Sequence, residues 1–286
     1  MGKFFEALKK SENLKKGPSG QPSPKKVVKI SKETVETSKL DTRRPEAPGE
    51  KPHHLNAGLD PRLISLWEPH SSAGECFKIL RTKLLISAPG KSLRTIMVSS
   101  PEPLDGKTLV AANLGFTIAS GMNEHVMLVD CDLRRPALHQ RLGIDVPQEG
   151  VREYLEGDTS LAPYLVETAA EKLKLLPAGK PPPNPSELLS SEKMRRLVKE
   201  LKDRYEDRYI IFDAPPAQFT AETAFLASMM DGVLLVVRSG KTSERLVFQA
   251  VENIGRERIL GVVFNASDET YKDYRYYYRY YQEGRR

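Results

Sequence analysis

Two kinds of apolar pattern alternate along this chain from about residue 71 onward. Short runs at 95–100, 126–129, 209–212, 232–237 and 259–264 are apolar at nearly every position and are bounded by turn residues. Such runs predict strands buried on both faces. Between them lie stretches with apolar residues at helical spacing. Phe77, Leu80, Leu84 and Leu85 mark a helix within 75–87, and 108–120 is apolar and stops at Gly121. Further helices are predicted at 186–206 and 242–255. Strands apolar on both faces, separated by helices, imply an α/β fold: a mostly parallel sheet covered by helices on both sides. Sheets of this kind bind ligands beyond the carboxyl ends of their strands.

The flanks read differently. Residues 1–50 hold 12 Lys and Arg against 7 Asp and Glu, so most of the net charge of +6 sits there. That stretch also carries Gly17-Pro18-Ser19-Gly20 and Gln21-Pro22-Ser23-Pro24, and little branched or aromatic content after Phe5. The expectation is a basic, mostly disordered arm over 1–70 with a short helix at 4–14, a folded domain over 71–267, and a tail over 268–286. The arm has two readings, a solvated tail or a docking peptide for a partner or an anionic membrane surface. No aromatic-basic motif in it argues for nucleic acid. The two cysteines, Cys76 and Cys131, cannot build a disulfide framework and have no zinc-ligand spacing. No apolar run approaches the ~18 residues of a membrane span, and the start has no signal-peptide core. These features argue against a secreted disulfide protein, an integral membrane protein and a structural zinc module. They suggest a cytoplasmic location.

Three predicted strand ends carry chemistry. The first runs from Ser99 to Thr108 and ends in Gly106-Lys107-Thr108, the second half of a phosphate-binding loop between strand and helix. Gly106 lets the backbone approach phosphate, Lys107 reaches the β- and γ-phosphates, and the Thr108 hydroxyl suits Mg²⁺. Pro103, Leu104, Asp105 and Leu109 complete the candidate nucleotide-binding segment. The second strand end is Asp130-Cys131-Asp132-Leu133-Arg134. Of its two carboxylates, one can hold Mg²⁺ and the other can accept a proton from an attacking hydroxyl. Arg134 can counter charge on a transferred phosphoryl group. Cys131 reads as a small filler. The third is an apolar strand ending in Asp213-Ala214-Pro215-Pro216, where Asp213 would orient Mg²⁺.

Together these residues resemble the bacterial tyrosine kinases, P-loop autokinases of capsule and exopolysaccharide synthesis whose fold is similar to the MinD/ParA ATPases. The resemblance covers roughly residues 70–281. Ser100 to Thr108 stand for the family's Walker A, Asp130, Asp132 and Arg134 for its Walker A′, and Asp213 for its Walker B. The segments Leu176-Pro177-Ala178-Gly179 and Pro182 to Leu189 match a family hallmark. Asn265 matches a residue that lies near the adenine. The opening Lys3 to Leu8 resembles the stand-alone, exosortase-associated branch. The resemblance implies ATP and Mg²⁺ as cofactors, with Asp130 the preferred base and Asp132 and Asp213 organising the metal. It also implies a homo-oligomeric ring, a separate membrane chain-length (polysaccharide co-polymerase) protein as activator, a cognate phosphatase, and a peripheral position at the membrane through that partner. Nucleic acid is not expected as a partner. Glu75, Lys78 and Arg81 fall on one helix face and stand where the family has its subunit-contact motif; the alternative is a solvated charged face. Leu104 and Asp105 stand where the family has Gly-Glu. A Leu held at positive φ costs about 1–2 kcal/mol, which would weaken nucleotide binding roughly five- to thirtyfold if the cost fell only in the bound loop. A plain ATPase switch and a catalytically weak scaffold are the alternatives to a kinase.

The tail holds Tyr271, Tyr274, Tyr276, Tyr277, Tyr278, Tyr280 and Tyr281, which are 7 of the 11 tyrosines, interleaved with Lys272, Arg275 and Arg279. A stacking surface for RNA is one reading of that composition. The resemblance implies a cluster phosphorylated in trans. Each phosphate adds about −1.5 to −2 charge, so full modification would overturn the net +6. A chain with all seven tail tyrosines replaced by Glu is therefore expected to run as a smaller oligomer in light scattering; an unchanged mass would contradict charge-driven dissociation.

Overall fold

The computed structural model describes residues 58–86, 93–157, 160–205, 207–218 and 221–267. The predicted arm helix at 4–14 and the tyrosine tail lie outside the described residues. A seven-stranded sheet organises what is described, in the order β3-β4-β2-β5-β1-β6-β7. Its members are β1 (Thr95–Ser99), β2 (His125–Asp130), β3 (Val166–Glu167), β4 (Leu173–Leu176), β5 (Arg208–Asp213), β6 (Gly232–Arg238) and β7 (Ile259–Asn265). All neighbours pair in parallel except β3 with β4.

The strands are continuously apolar because both faces are covered. Ile96, Val98, Leu128 and Ile211 face one core cluster, while Met97, Met127, Ile210 and Phe212 face the other. The first cluster is closed by α1 (Ile64–Trp67), α2 (Ser72–Ile86), α3 (Lys107–Ala119) and α4 (Leu138–Arg141). The second is closed by α5 (Val151–Glu156), α6 (Pro185–Leu189), α7 (Glu192–Arg204), α8 (Ala221–Met229) and α9 (Glu244–Ile254). Helix α3 is buried on nearly every side, which explains why its sequence shows an apolar run rather than a stripe.

Three expectations need correction. The domain begins before residue 71. Leu59 and Leu63 are buried in the core beneath α3. The Ser65 N–H donates to Asn113 Oδ1 at 2.9 Å, and Asn113 Nδ2 donates to the Arg62 carbonyl at 3.1 Å. The helix expected over 186–206 is two helices, because Ser191 caps a new start by accepting from the Met194 N–H at 3.1 Å. The sheet also gains β3 and β4, strands too short and too mixed to stand out: Lys174 of β4 pairs with Glu167 of β3 at 2.7 Å.

Asp60 ties the early segment down. It accepts from Arg62 Nε at 2.9 Å and Nη2 at 2.8 Å, and from Arg141 Nη1 at 2.5 Å. The Arg62 hydrogen bond, helped by Arg141, holds its carboxyl well below the usual carboxylate range despite burial. Asp60→Ala is expected to lower stability by about 1–3 kcal/mol. Because the folded pKa lies below the unfolded one, this contribution is whole above about pH 4 and fades as pH falls further. Thermal melts of both proteins at pH 7 and pH 3 test this: the gap between them should narrow at pH 3, and an equal gap would contradict the assignment.

Candidate active site

Parallel pairing sets the site. Asp130 at the end of β2 lies in register with Asp213 at the end of β5, and Val98 of β1 pairs with Asp213 on the other side. The chain leaving β1 turns back over these ends as the loop 100–106 and enters α3 at Lys107. Lys107 Nζ sits 2.8 Å from Asp132 Oδ2 and 3.4 Å from Asp213 Oδ1. The Thr108 hydroxyl donates to Asp213 Oδ2 at 2.6 Å. So Lys107, Thr108, Asp130, Asp132 and Asp213, read from three separate motifs, meet in one place.

The electrostatics are those of a buried cation among acids. Burial alone would lower the Lys107 pKa, but the charges of Asp213 and Asp132 outweigh it and raise it. Burial, and then the charge of Asp213, push Asp130 up to about 8. Burial raises Asp213 as well, with Lys107 and Thr108 opposing. The Cys131 thiol, buried between these acids, is pushed well up, first by burial and then by their charges. It is no nucleophile, in keeping with a filler.

Asp130 and Asp132 are not equivalent. Asp130 is fully buried. Its Oδ2 accepts from the N–H groups of Ala137 at 3.2 Å and Leu138 at 3.1 Å, and its Oδ1 from the Asp132 N–H at 3.2 Å. Its oxygens hold the turn that leads into α4. Asp132 is buried too, but its Oδ2 touches Lys107 at 2.8 Å while its Oδ1 accepts from the Arg135 N–H at 3.2 Å, a difference that weighs against the preference for Asp130 as base.

The phosphate loop is held from outside. Asp105 is buried, accepting from the Glu102 N–H at 3.1 Å and from the Thr242 hydroxyl at 2.6 Å. Asn265 Nδ2 donates to the Asp105 carbonyl at 2.8 Å, so Asn265 contacts the loop backbone. Gly106 has φ 99°, and a Cβ there would lie 2.0 Å from Asn265 Nδ2; only glycine fits. Beyond it, the first-turn N–H groups of α3 have no side-chain cap, which leaves them to an anion. Pro103 and Leu104 are exposed at the apex, and Leu109 packs beneath on the core. Thr242 gave no sequence signal, because a single Thr in a polar turn is unremarkable.

Arg134 does not float. It reaches Glu222 and Ser186, described below. On α2, Lys78 pairs with Glu75 at 2.7 Å and Arg81 Nη1 donates to the Thr117 carbonyl at 3.1 Å. All three side chains thus find partners within the chain. Among the described residues no group of three or more His, Cys, Asp or Glu side chains is arranged to hold a metal by itself. The Thr108 hydroxyl and the Asp213 carboxylate, 2.6 Å apart, are oxygen groups of the kind that hold Mg²⁺, which takes one or two protein ligands plus phosphate. No helix among the described residues is long and apolar enough to cross a membrane.

A parallel sheet with a Gly-Lys-Thr loop after its central β1 and an Asp at the end of the adjacent β5 defines a P-loop nucleotide-binding protein. No family model matches the chain. It is 31% identical over 218 residues to the tyrosine-protein kinase YwqD of Bacillus subtilis, covering 75% of this chain and 90% of that one. Among solved structures, the chimerical protein CapA2B2 superposes with a TM-score of 0.67 at 28% identity, over 74% of this chain and 93% of that one. The kinase domain of the Escherichia coli tyrosine kinase ETK gives 0.67 at 27% identity, over 76% and 85%. The chain belongs to the bacterial tyrosine-protein kinase family, and its activity class is that of a protein-tyrosine kinase.

Leu104 has φ 69° and is 85% exposed. The left-handed strain of about 1–2 kcal/mol is thus present without ligand, and falls on the stability of the loop rather than on nucleotide binding. Leu104→Gly is expected to leave ATP affinity within about twofold and to raise stability by less than about 1 kcal/mol, since glycine's chain entropy offsets part of the relief. Calorimetric titration and a thermal melt check this; a tightening of fivefold or more would return the strain to the binding step.

Proposed function

We propose that this chain uses Mg²⁺-ATP to phosphorylate tyrosines of its own C-terminal cluster in a neighbouring copy, and so regulates polymerisation or export of an exopolysaccharide. The observation that carries the reading is Lys107 at the start of α3, bonded to both Asp132 and Asp213 at 2.8 and 3.4 Å. Bound Mg²⁺-ATP would supply the γ-phosphoryl group. On the protein side, Lys107 would supply the cation for the β- and γ-phosphate oxygens. The loop N–H groups and the first turn of α3 orient the phosphates. The Thr108 hydroxyl and Asp213, which lie 2.6 Å apart, would hold the metal cation. Asp132 accepts the proton of the incoming tyrosine hydroxyl, and Asp130 holds the backbone that carries Asp132. Arg134 meets the charge on the moving phosphoryl group. Asn265 stands at the loop and at the edge of the nucleotide pocket.

The partners follow from the same reading. The activator is a separate membrane chain-length protein whose cytoplasmic segment docks on this domain, and the oligomer is a ring reversed by a phosphatase. Intact-mass spectrometry after incubation with Mg²⁺-ATP, beside Lys107→Met, tests the reading. Mass should rise in steps of one phosphate in the parent only, mapping to Tyr271–Tyr281. No gain in the presence of the activator's cytoplasmic segment would leave a nucleotide-binding scaffold.

A further inference from the structure

Glu222 lies in the first turn of α8, just after the β5 exit, and is 2% exposed. A carboxylate so deeply buried needs donors. It receives Nε and Nη2 of Arg134 on Oε1, at 3.3 and 3.2 Å, and the Ser186 hydroxyl on Oε2 at 3.1 Å. Arg134 Nη2 also donates to Ser186 Oγ at 2.7 Å. Arg134 itself remains 48% exposed. The guanidinium therefore has a fixed inner edge, Nε and Nη2, and an outer edge, Nη1, that makes no hydrogen bond among the described residues. The three residues come from the connections after β2, β4 and β5, all on the carboxyl side of the sheet. A contact serving packing alone would be met as well by apolar side chains of similar volume, because a buried acid gains little net stability from its partner. Here the acid is hidden and the cation is half in solvent, two residues beyond Asp132.

We propose that Glu222, with Ser186, is a positioning residue that locks the Arg134 guanidinium at the rim of the site so that Nη1 faces the transferred phosphoryl group. A flexible arginine would lose side-chain freedom each time it met the phosphoryl oxygens; one already pinned on two nitrogens does not. The proposal rests on the kinase reading for the identity of the group Arg134 meets, and on geometry alone for the pinning.

The full-length chain tests both halves. Glu222→Gln is nearly isosteric and should fold; it is expected to lower kcat for tyrosine phosphorylation about tenfold or more, with KM for ATP within about twofold. Ser186→Ala should show a smaller loss of the same kind, and Glu222→Asp should recover part of it. In an Arg134→Ala background, Glu222→Gln should cost nothing further, since it acts through Arg134. A Glu222 that serves packing only would lower kcat in both backgrounds and depress Tm. That result, or an unchanged or raised kcat in the parent background, overturns the proposal. The Arg134 Nε–H resonance, assigned by its loss in Arg134→Lys, should exchange slowly with solvent in the parent and fast in Glu222→Gln. Fast exchange in the parent overturns the pinning even where the chain phosphorylates tyrosine. Slow exchange with no tyrosine phosphorylation would instead remove the kinase reading, and the catalytic half of the proposal with it.

Discussion

Lys107 carries the only cationic group bonded to the Asp132 and Asp213 carboxylates among the described residues, and much of the architecture answers to it. The register of β2 and β5 brings Asp130 beside Asp213, two acids that would repel one another in a medium of low dielectric. Burial raises the pKa values of both, with the charge of Asp213 adding to the rise at Asp130 and that of Asp132 to the rise at Asp213, and the Lys107 ammonium offsets part of it. Removing one partner of a buried ion pair is far more costly than the pair is stabilising. Lys107 is therefore tied down as long as the carboxylates have no other cation. On the proposed function, a divalent ion beside Asp132 and Asp213 would free Lys107 for phosphate, and nucleotide and metal binding would then be coupled within one site.

The loop that presents Lys107 achieves its shape without the usual run of glycines. Gly106 supplies the left-handed φ of 99° that the turn into α3 requires, with Asn265 packed close against it. The rest is held by contacts from other elements: Thr242 to the Asp105 carboxylate, Asn265 to its carbonyl, and Arg238 Nη1 to the Leu104 carbonyl at 3.3 Å. Upstream, Ser99 Oγ donates to the Pro215 carbonyl at 2.7 Å, and the Ala217 N–H donates to the Ser100 carbonyl at 2.8 Å. These anchors are what keep Leu104 in a region of φ that an isolated loop would avoid.

What could be read in the chain beforehand was whatever has a local signature. Strands buried on both faces announce themselves as apolar runs, and chemistry at their carboxyl ends follows from the α/β plan. Lys107, Thr108, Asp132 and Asp213 were found that way. Readings failed where the deciding partner is remote. Glu222 carries no local signature, because its partner Arg134 lies 88 residues away. Asp130 and Asp132 look alike at i and i+2, and only the turn at Ala137 and Leu138 tells them apart. The segment at 58–67 looks like the end of a polar arm because just two leucines, Leu59 and Leu63, drive its burial.

The same distinction between local and remote partners bears on α2. Glu75 and Lys78 form a half-buried pair one turn apart, of a kind worth under about 0.5 kcal/mol on a helix surface. A second subunit could recruit either at almost no cost. Arg81 is different. Its bond to the Thr117 carbonyl satisfies one of the last carbonyls of α3, the helix whose other end forms the phosphate site. Drawing Arg81 into a subunit contact would leave that carbonyl to the Ser120 hydroxyl, which donates to it at 2.8 Å, and would remove a bond between α2 and α3. An oligomer built through this face would therefore use Glu75 and Lys78 directly. If it engaged Arg81 as well, it would give up the bond that ties α2 to the last turn of α3.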